Sequence, residues 1–224
     1  LEKEVQSELI LLQEELGFQI AHFTGFCTRK TKEGEVPEIE ATEVWFDFLQ
    51  KINLIPMIQL EFPKEIASPE EGEKWCDTQI DMIRHLLNRY GRKAVGRWYL
   101  EWVLVDYGKK MELNEIVFGY FYRKMKSLIP EVNLGMLTFT SLRIEEAELI
   151  ERFLQLQLNS CRMPDFFTFH AVPNHIEMKN NKNDMACRYY AESICKLLEN
   201  TLYQLKAAGG QADLRRREEI FLTD

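Results

Sequence analysis

The stretch "VGRWYLEWVLVDYG", residues 95–108, decides how the chain is read. Aromatic and aliphatic side chains fill it until Asp106, Tyr107 and Gly108 end the run. Read as a strand, it carries its last side chains to the edge of a sheet, where enzymes built on barrels keep their reactive groups. Only two carboxyls in it, Glu101 and Asp106, could move a proton.

Working outward, the same alternation of helix and strand recurs on both sides. Residues 1–16 carry Val5, Leu9, Leu12 and Leu16 at helical spacing, and "FQIAHF" follows Gly17 as a strand. The polar "TRKTKEGEVPEIE" reads as a loop, "TEVWFDFLQKI" as a helix and "LIPMIQLEF" as a strand. Pro69 and Gly72 mark a further loop before the helix "EKWCDTQIDMIRHLLNRY", which stops at Gly91. Beyond the quoted stretch, a helix over 113–128 leads to "VNLGML", one over 145–159 to "DFFTFHAV", and one over 185–207 to "EEIFLTD". These are six helix-then-strand units, with no hairpin turn pair such as Asn-Gly between strands. Strands separated by helices pair in parallel with right-handed crossovers. The pattern allows an open doubly wound sheet or most of an eight-unit barrel. No Gly-x-Gly-x-x-Gly follows the first strand, which disfavours the nucleotide-binding version of the open sheet.

Composition narrows the function. The chain has 224 residues, 46% apolar and 12% aromatic, enough for a large core and too apolar for disorder. A net charge of −8 argues against a broad basic face for nucleic acid, and in "LRRREE", residues 214–219, Glu218 and Glu219 directly follow the basic run at 215–217. The five cysteines have no Cys-x-x-Cys spacing and read as reduced, buried thiols of a cytoplasmic protein. No apolar run approaches the roughly 20 residues of a membrane span. Cys76 and His85 have no third or fourth ligand beside them in the sequence, so neither a metal site nor a cofactor is expected. Because Leu1 falls inside a helical pattern, the chain is expected to be a fragment of a longer protein.

Several of these strand ends also match, in order, the motifs of one family. "FDFLQKINLIPMIQLEFPKEIAS", "IRHLLNRYGRKAVGRWYLEW", "FYRKMKSLIPEVNLGM", "PDFFTFHAVP" and "IFLTD" together resemble the catalytic barrel of glycoside hydrolase family 39, which includes β-xylosidases and α-iduronidases. The resemblance covers nearly the whole chain and implies a TIM-barrel type (β/α)8 fold. About six of its eight units lie here, as one domain over residues 1–224. In that family the quoted strand ends in Trp-Asn-Glu-Pro, whose Glu is the general acid/base. The matching positions here are Val103, Leu104, Val105 and Asp106, so the proton donor is replaced by Val105. The family nucleophile corresponds to Asp224, and its Arg-x-His-Gly becomes His22, Phe23, Thr24 and Gly25.

A valine neither gives nor takes a proton. Glu101 sits four residues earlier, about 13 Å down a strand, and Asp106 points to the opposite face if the strand continues. Asp106 and Asp224 are therefore the weak catalytic candidates, short of the carboxyl pair about 5–5.5 Å apart that retaining glycosidases use. The ligand-binding candidates are His22, Thr24, Glu61, Trp102, His170 and Asp224. Trp45, Trp75 and Trp98 read as core, and Glu101 as a wall carboxylate paired with an arginine or a backbone amide.

The likeness extends to the degenerate family 39-like domains inside AraC-type bacterial transcription regulators. It implies a carbohydrate-sensing or interaction domain without turnover, binding a mono- or oligosaccharide. A partner domain or chain would cap the open barrel, because unpaired strand edges are normally covered. The alternative reading is a working β-xylosidase-like retaining hydrolase.

Overall fold

The structure, a computed structural model, describes residues 3–23, 29–31, 34–36, 39–103, 107–139, 164–170 and 219–223. They fall into two units, residues 1–136 and 137–224.

The first unit opens with helix α1 (Lys3–Leu16), strand β1 (Ile20–Phe23) and the short strands β2 (Arg29–Thr31) and β3 (Gly34–Val36). Helix α2 (Ile39–Lys51), strand β4 (Ile55–Glu61), helix α3 (Pro69–Tyr90), the single turn α4 (Arg92–Val95) and strand β5 (Tyr99–Val103) follow. Helix α5 (Tyr107–Leu128) leads into strand β6 (Asn133–Phe139), at which the first unit ends. In the sheet the order is β1, β4, β5, β6, and β1–β4 and β4–β5 pair in parallel. The second unit holds strands β7 (Phe166–His170) and β8 (Glu219–Thr223), also paired in parallel. The helices expected over 145–159 and 185–207 lie outside the described residues.

All six expected strands are present, and the architecture is α/β with parallel pairing. Two expectations are corrected. The polar run after β1 contains an antiparallel pair, Arg29 opposite Val36 and Thr31 opposite Gly34, where a loop was expected. Helix α3 begins at Pro69, so Pro69 and Gly72 are helical residues and not loop punctuation. The start is set by local chemistry. The Ser68 hydroxyl accepts from the Glu71 amide at 3.3 Å, the Glu71 carboxylate accepts from the Ala67 amide at 2.9 Å, and Pro69 occupies the position where a missing N–H costs nothing. Gly91, at φ +80°, ends the helix as expected.

Helices pack on one face of the sheet through alternate residues. Leu60, Phe62, Leu100 and Trp102 are buried there, with Val117, Phe118 and Phe121 of α5. Gly72 lets α3 and α5 approach, since a Cβ on it would stand 2.4 Å from Val117 Cγ2. Helices α2 and α3 are tied at the surface. Arg89 holds both oxygens of Asp47, Tyr90 donates to Asp47 at 2.8 Å, and His85 meets Glu43 at 2.7 Å. The Arg89 guanidinium, with help from the Tyr90 hydroxyl, keeps the Asp47 carboxyl below its ordinary value. Burial, then the hydrogen bond to Asp47, pushes the Tyr90 phenol up to about 12.

Cys76 is a buried thiol whose Sγ lies 3.8 Å from the Val117 carbonyl, and burial pushes its ionisation well above the ordinary thiol value. The other four cysteines lie outside the described residues. Among the described residues no helix is long and apolar enough to cross a membrane.

Candidate functional site

Strand alternation assigns the side chains of this sheet to two faces. Phe23 of β1 packs on Trp45 and Phe46 of α2, so it faces the helices, and its neighbour His22 faces the other way. Trp102 of β5 also faces the helices, so Tyr99, Glu101 and Val103 share the opposite, inner face. On β4 the inner residues are Met57, Gln59 and Glu61, because Gln59 is registered with Glu101 and Glu61 with Val103. A polar row of His22, Gln59, Glu61, Tyr99 and Glu101 thus forms on the face turned away from the helices.

The centre of this row is one contact. His22 Nε2 lies 3.0 Å from Glu101 Oε2, across the intervening strand β4. The Glu101 side chain is 0% exposed and that of His22 is 22% exposed. The contact holds one proton between the ring nitrogen and the carboxyl oxygen. Among the described residues the second oxygen of Glu101, Oε1, is buried without a hydrogen-bond partner. Gln59, also buried, is the Cα partner of Glu101 on β4.

The candidates from the sequence are placed unequally. His22 and Glu61 stand at or beside the C-terminal ends of β1 and β4, Glu61 exposed and His22 partly so. His170 is the last residue of β7, registered with Thr223, and nothing is described of its side chain. Thr24, Asp106 and Asp224 lie outside the described residues, as do Leu104 and Val105. The separation of Asp106 and Asp224 therefore lies outside them too.

Trp102 needs a correction. It is 1% exposed and enclosed by Phe62, Trp75, Phe118 and Phe121, with ring centroids 5.2–5.6 Å away. Its ring belongs to the layer between sheet and helices and offers no face to a sugar. Trp98 is buried against Phe46, Trp75 packs on Phe62 and Trp102, and Trp45 on Phe23. Glu101 is a wall carboxylate, but its partner is a histidine and not an arginine or a backbone amide. Reading the sequence missed Gln59, whose signal was a lone amide inside the apolar run "PMIQL". Among the described residues no group of three or more His, Cys, Asp or Glu could hold a metal ion.

No protein-family model matches the chain. Two curated relatives are similar to it, both named β-xylosidase. One, from Caldicellulosiruptor saccharolyticus, is 27% identical over 45% of this chain and 25% of its own length. The other, from Geobacillus stearothermophilus, is 26% identical over 60% of this chain and 33% of its own length. The chain matches a quarter to a third of the length of these relatives. Among solved structures, the family 39 glycoside hydrolase of Xanthomonas axonopodis pv. citri superposes with a TM-score of 0.57 at 18% identity. That match covers 75% of this chain and 38% of the other. A bacterial orthologue of human α-L-iduronidase superposes with a TM-score of 0.62 at 12% identity, covering 99% of this chain and 38% of the other. The fold is that of the family 39 TIM barrels, of which the chain spans a part. In such a barrel the face of the sheet turned away from the helices is the barrel interior.

Proposed function

We propose that this chain is a carbohydrate-binding barrel that has given up hydrolysis and serves as a sensing or interaction domain of an AraC-type transcription regulator in the cytoplasm. The observation that carries the reading is the face assignment of β5. Its inner positions run Tyr99, Glu101, Val103, and the same parity in the sequence leads to Val105. Glu101, the inner carboxyl of the strand, is committed to His22 below the rim. Val103 is the last inner position of β5, and Val105, the residue that matches the family's acid in the sequence resemblance, cannot protonate a leaving oxygen.

His22 and Glu61 supply hydrogen-bonding groups to a saccharide, with Thr24, His170 and Asp224 as further contacts. The ligand, a mono- or oligosaccharide, is held by hydrogen bonds and released unchanged. The outer edge of β1 and the exposed Leu11, Leu12 and Leu16 of α1 are covered by a partner domain or chain that completes the barrel.

Calorimetric titration with xylobiose, alongside an assay on p-nitrophenyl β-xyloside, tests the reading. Binding without release of nitrophenol is the expected result. Turnover that Asp106→Ala abolishes would overturn it and establish the second reading, a β-xylosidase-like hydrolase, which the names of the two curated relatives favour.

A further inference from the structure

We infer that an open cleft at the N-terminal ends of β1, β4 and β5 is a second saccharide site, separate from the inner face, for a neutral ligand of one or two sugar rings. Gln19 directly precedes β1, Ile55 opens β4 and Arg97 lies two residues before β5, and all three line the cleft. His22 and Glu61 stand toward the other end of the same strands. The cleft has a volume of about 530 Å³, within the range of roughly 300–1,000 Å³ that small-molecule sites occupy. All of its lining comes from the first unit.

Two turns shape it. Helix α1 ends at Gly17, φ +69°, whose amide donates to the Gln13 carbonyl at 2.8 Å. A Cβ at Gly17 would meet nothing within 4 Å, so open space lies beside this turn. After α2, Asn53 takes a left-handed conformation, φ +56°, which asparagine tolerates better than most residues. The Gln13 side chain joins the two turns by donating to the Ile52 carbonyl at 2.7 Å, and the Ile55 amide donates to the Gln19 carbonyl at 2.8 Å. The walls are thus tied to each other before a ligand arrives, which lowers the ordering cost of binding.

The lining selects the class of ligand. Gln13, Gln19 and Asn53 offer amides, Glu14 a carboxylate, Arg97 a guanidinium and Phe18 a half-buried ring. Planar groups with paired donors or acceptors match neighbouring hydroxyls of a sugar ring, and an aromatic face covers its C–H side. One acid and one base leave the lining electrically neutral, and the chain carries −8 overall, so an anion gains little here. An apolar ligand would strip water from five polar side chains without replacing it. A single carboxyl supplies no pair for glycoside hydrolysis, so the sugar is bound and released unchanged.

Titrating the 15N-labelled full chain in turn with xylobiose, cellobiose, maltose and sodium sulfate tests this, read through backbone amides, side-chain amides and arginine Nε–H signals. Saturable shifts at the Gln19 and Asn53 side-chain amides and at Arg97 Nε–H with at least one of the sugars are expected. Arg97→Ala should raise the Kd read at these signals by about tenfold or more. Asn53→Gly, which keeps the left-handed turn and removes the amide, should raise it by about threefold or more. Wild-type Kd in both variants would overturn the inference. Shifts with sulfate but with none of the sugars would overturn it in favour of an anion at Arg97, and no saturable shift at the cleft would overturn it outright. Shifts at the cleft alone would uphold this site while the inner-face reading fails. Shifts confined to Glu61, Tyr99 and their neighbours would uphold the inner face and overturn the second site.

Discussion

Strands β4 and β5 present two faces made from alternate residues of the same short segments: the helix side is apolar, whereas the inner side interleaves polar groups with Met57 and Val103. The helix side is Leu60, Phe62, Leu100 and Trp102, closed over by α3 and α5. The inner side is Gln59, Glu61, Tyr99 and Glu101, joined by His22 from β1. Stability comes from the first face, where large apolar surface leaves water. Specific recognition can come only from the second, where donors and acceptors stand at fixed spacing. A barrel can therefore lose its chemistry without losing its fold, because hydrolysis and folding draw on residues of opposite parity.

The sharpest attempt to break this division is Trp102→Ala. Removing an indole enclosed by four aromatic rings should cost about 3–5 kcal/mol, measured by urea unfolding. Trp102→Phe should cost much less, because among the described residues the indole N–H has no hydrogen-bond partner to lose. A tryptophan that bound sugar at the rim would behave in the reverse way, with little change in stability and a large loss of affinity.

Gly72→Ala probes the same face one layer out. Its new Cβ would meet Val117 Cγ2 at 2.4 Å and Cγ1 at 2.9 Å. Overpacking of this kind costs about 1–3 kcal/mol, partly offset by the better helix propensity of alanine, for a net loss of about 1–2 kcal/mol. Val117→Ala in the same chain should make the pair less destabilised than the sum of the two single changes. Strict additivity in thermal or urea unfolding would mean that α3 and α5 do not meet at this point.

The surface network of α2 and α3 should contribute less. An exposed Arg89–Asp47 pair contributes little, because solvent screens both charges. The sign of its pH dependence follows from Asp47, whose folded carboxyl titrates below its unfolded value. The contribution is complete above the unfolded value and disappears as pH falls through the folded one. The stability gap between wild type and Asp47→Asn should thus be constant near neutrality and close below about pH 4. A gap that widened on acidification would contradict the assignment.

How much of this was legible in the sequence follows the same division of faces. All six strands are legible as apolar runs, buried along the centre of β4 and β5, and Gly91 marks the end of α3 because glycine suits φ +80° there. The pair Arg29–Thr31 and Gly34–Val36 was invisible, since a small polar hairpin has no apolar alternation to announce it. Pro69 and Gly72 have the look of helix breakers and hide the first four residues of α3, although Ser68, Pro69 and Glu71 together form a start signal. The side of Trp102 could not be read, because "YLEWV" carries aromatic or apolar residues on both of its faces. Nor could the His22–Glu101 contact, which joins residues 79 apart through a register that only the folded sheet fixes.

Glu61 is where the division can be tested with the smallest structural disturbance. It ends β4 on the inner face, registered with Val103, and its side chain is exposed. Nothing on the helix side depends on it, so Glu61→Ala should change unfolding stability by no more than about 0.5 kcal/mol. If the inner face holds the saccharide, the same change removes a hydrogen bond between a carboxylate and a ligand hydroxyl. Bonds to charged groups contribute about 1.5–3 kcal/mol, so the xylobiose affinity should fall by about tenfold or more. The two measurements on one variant separate the faces: stability unchanged with affinity lost places Glu61 in the site. Affinity unchanged would confine the site to the part of the face nearer His22, and a loss of stability above about 1 kcal/mol would mean that the inner face also supports the fold.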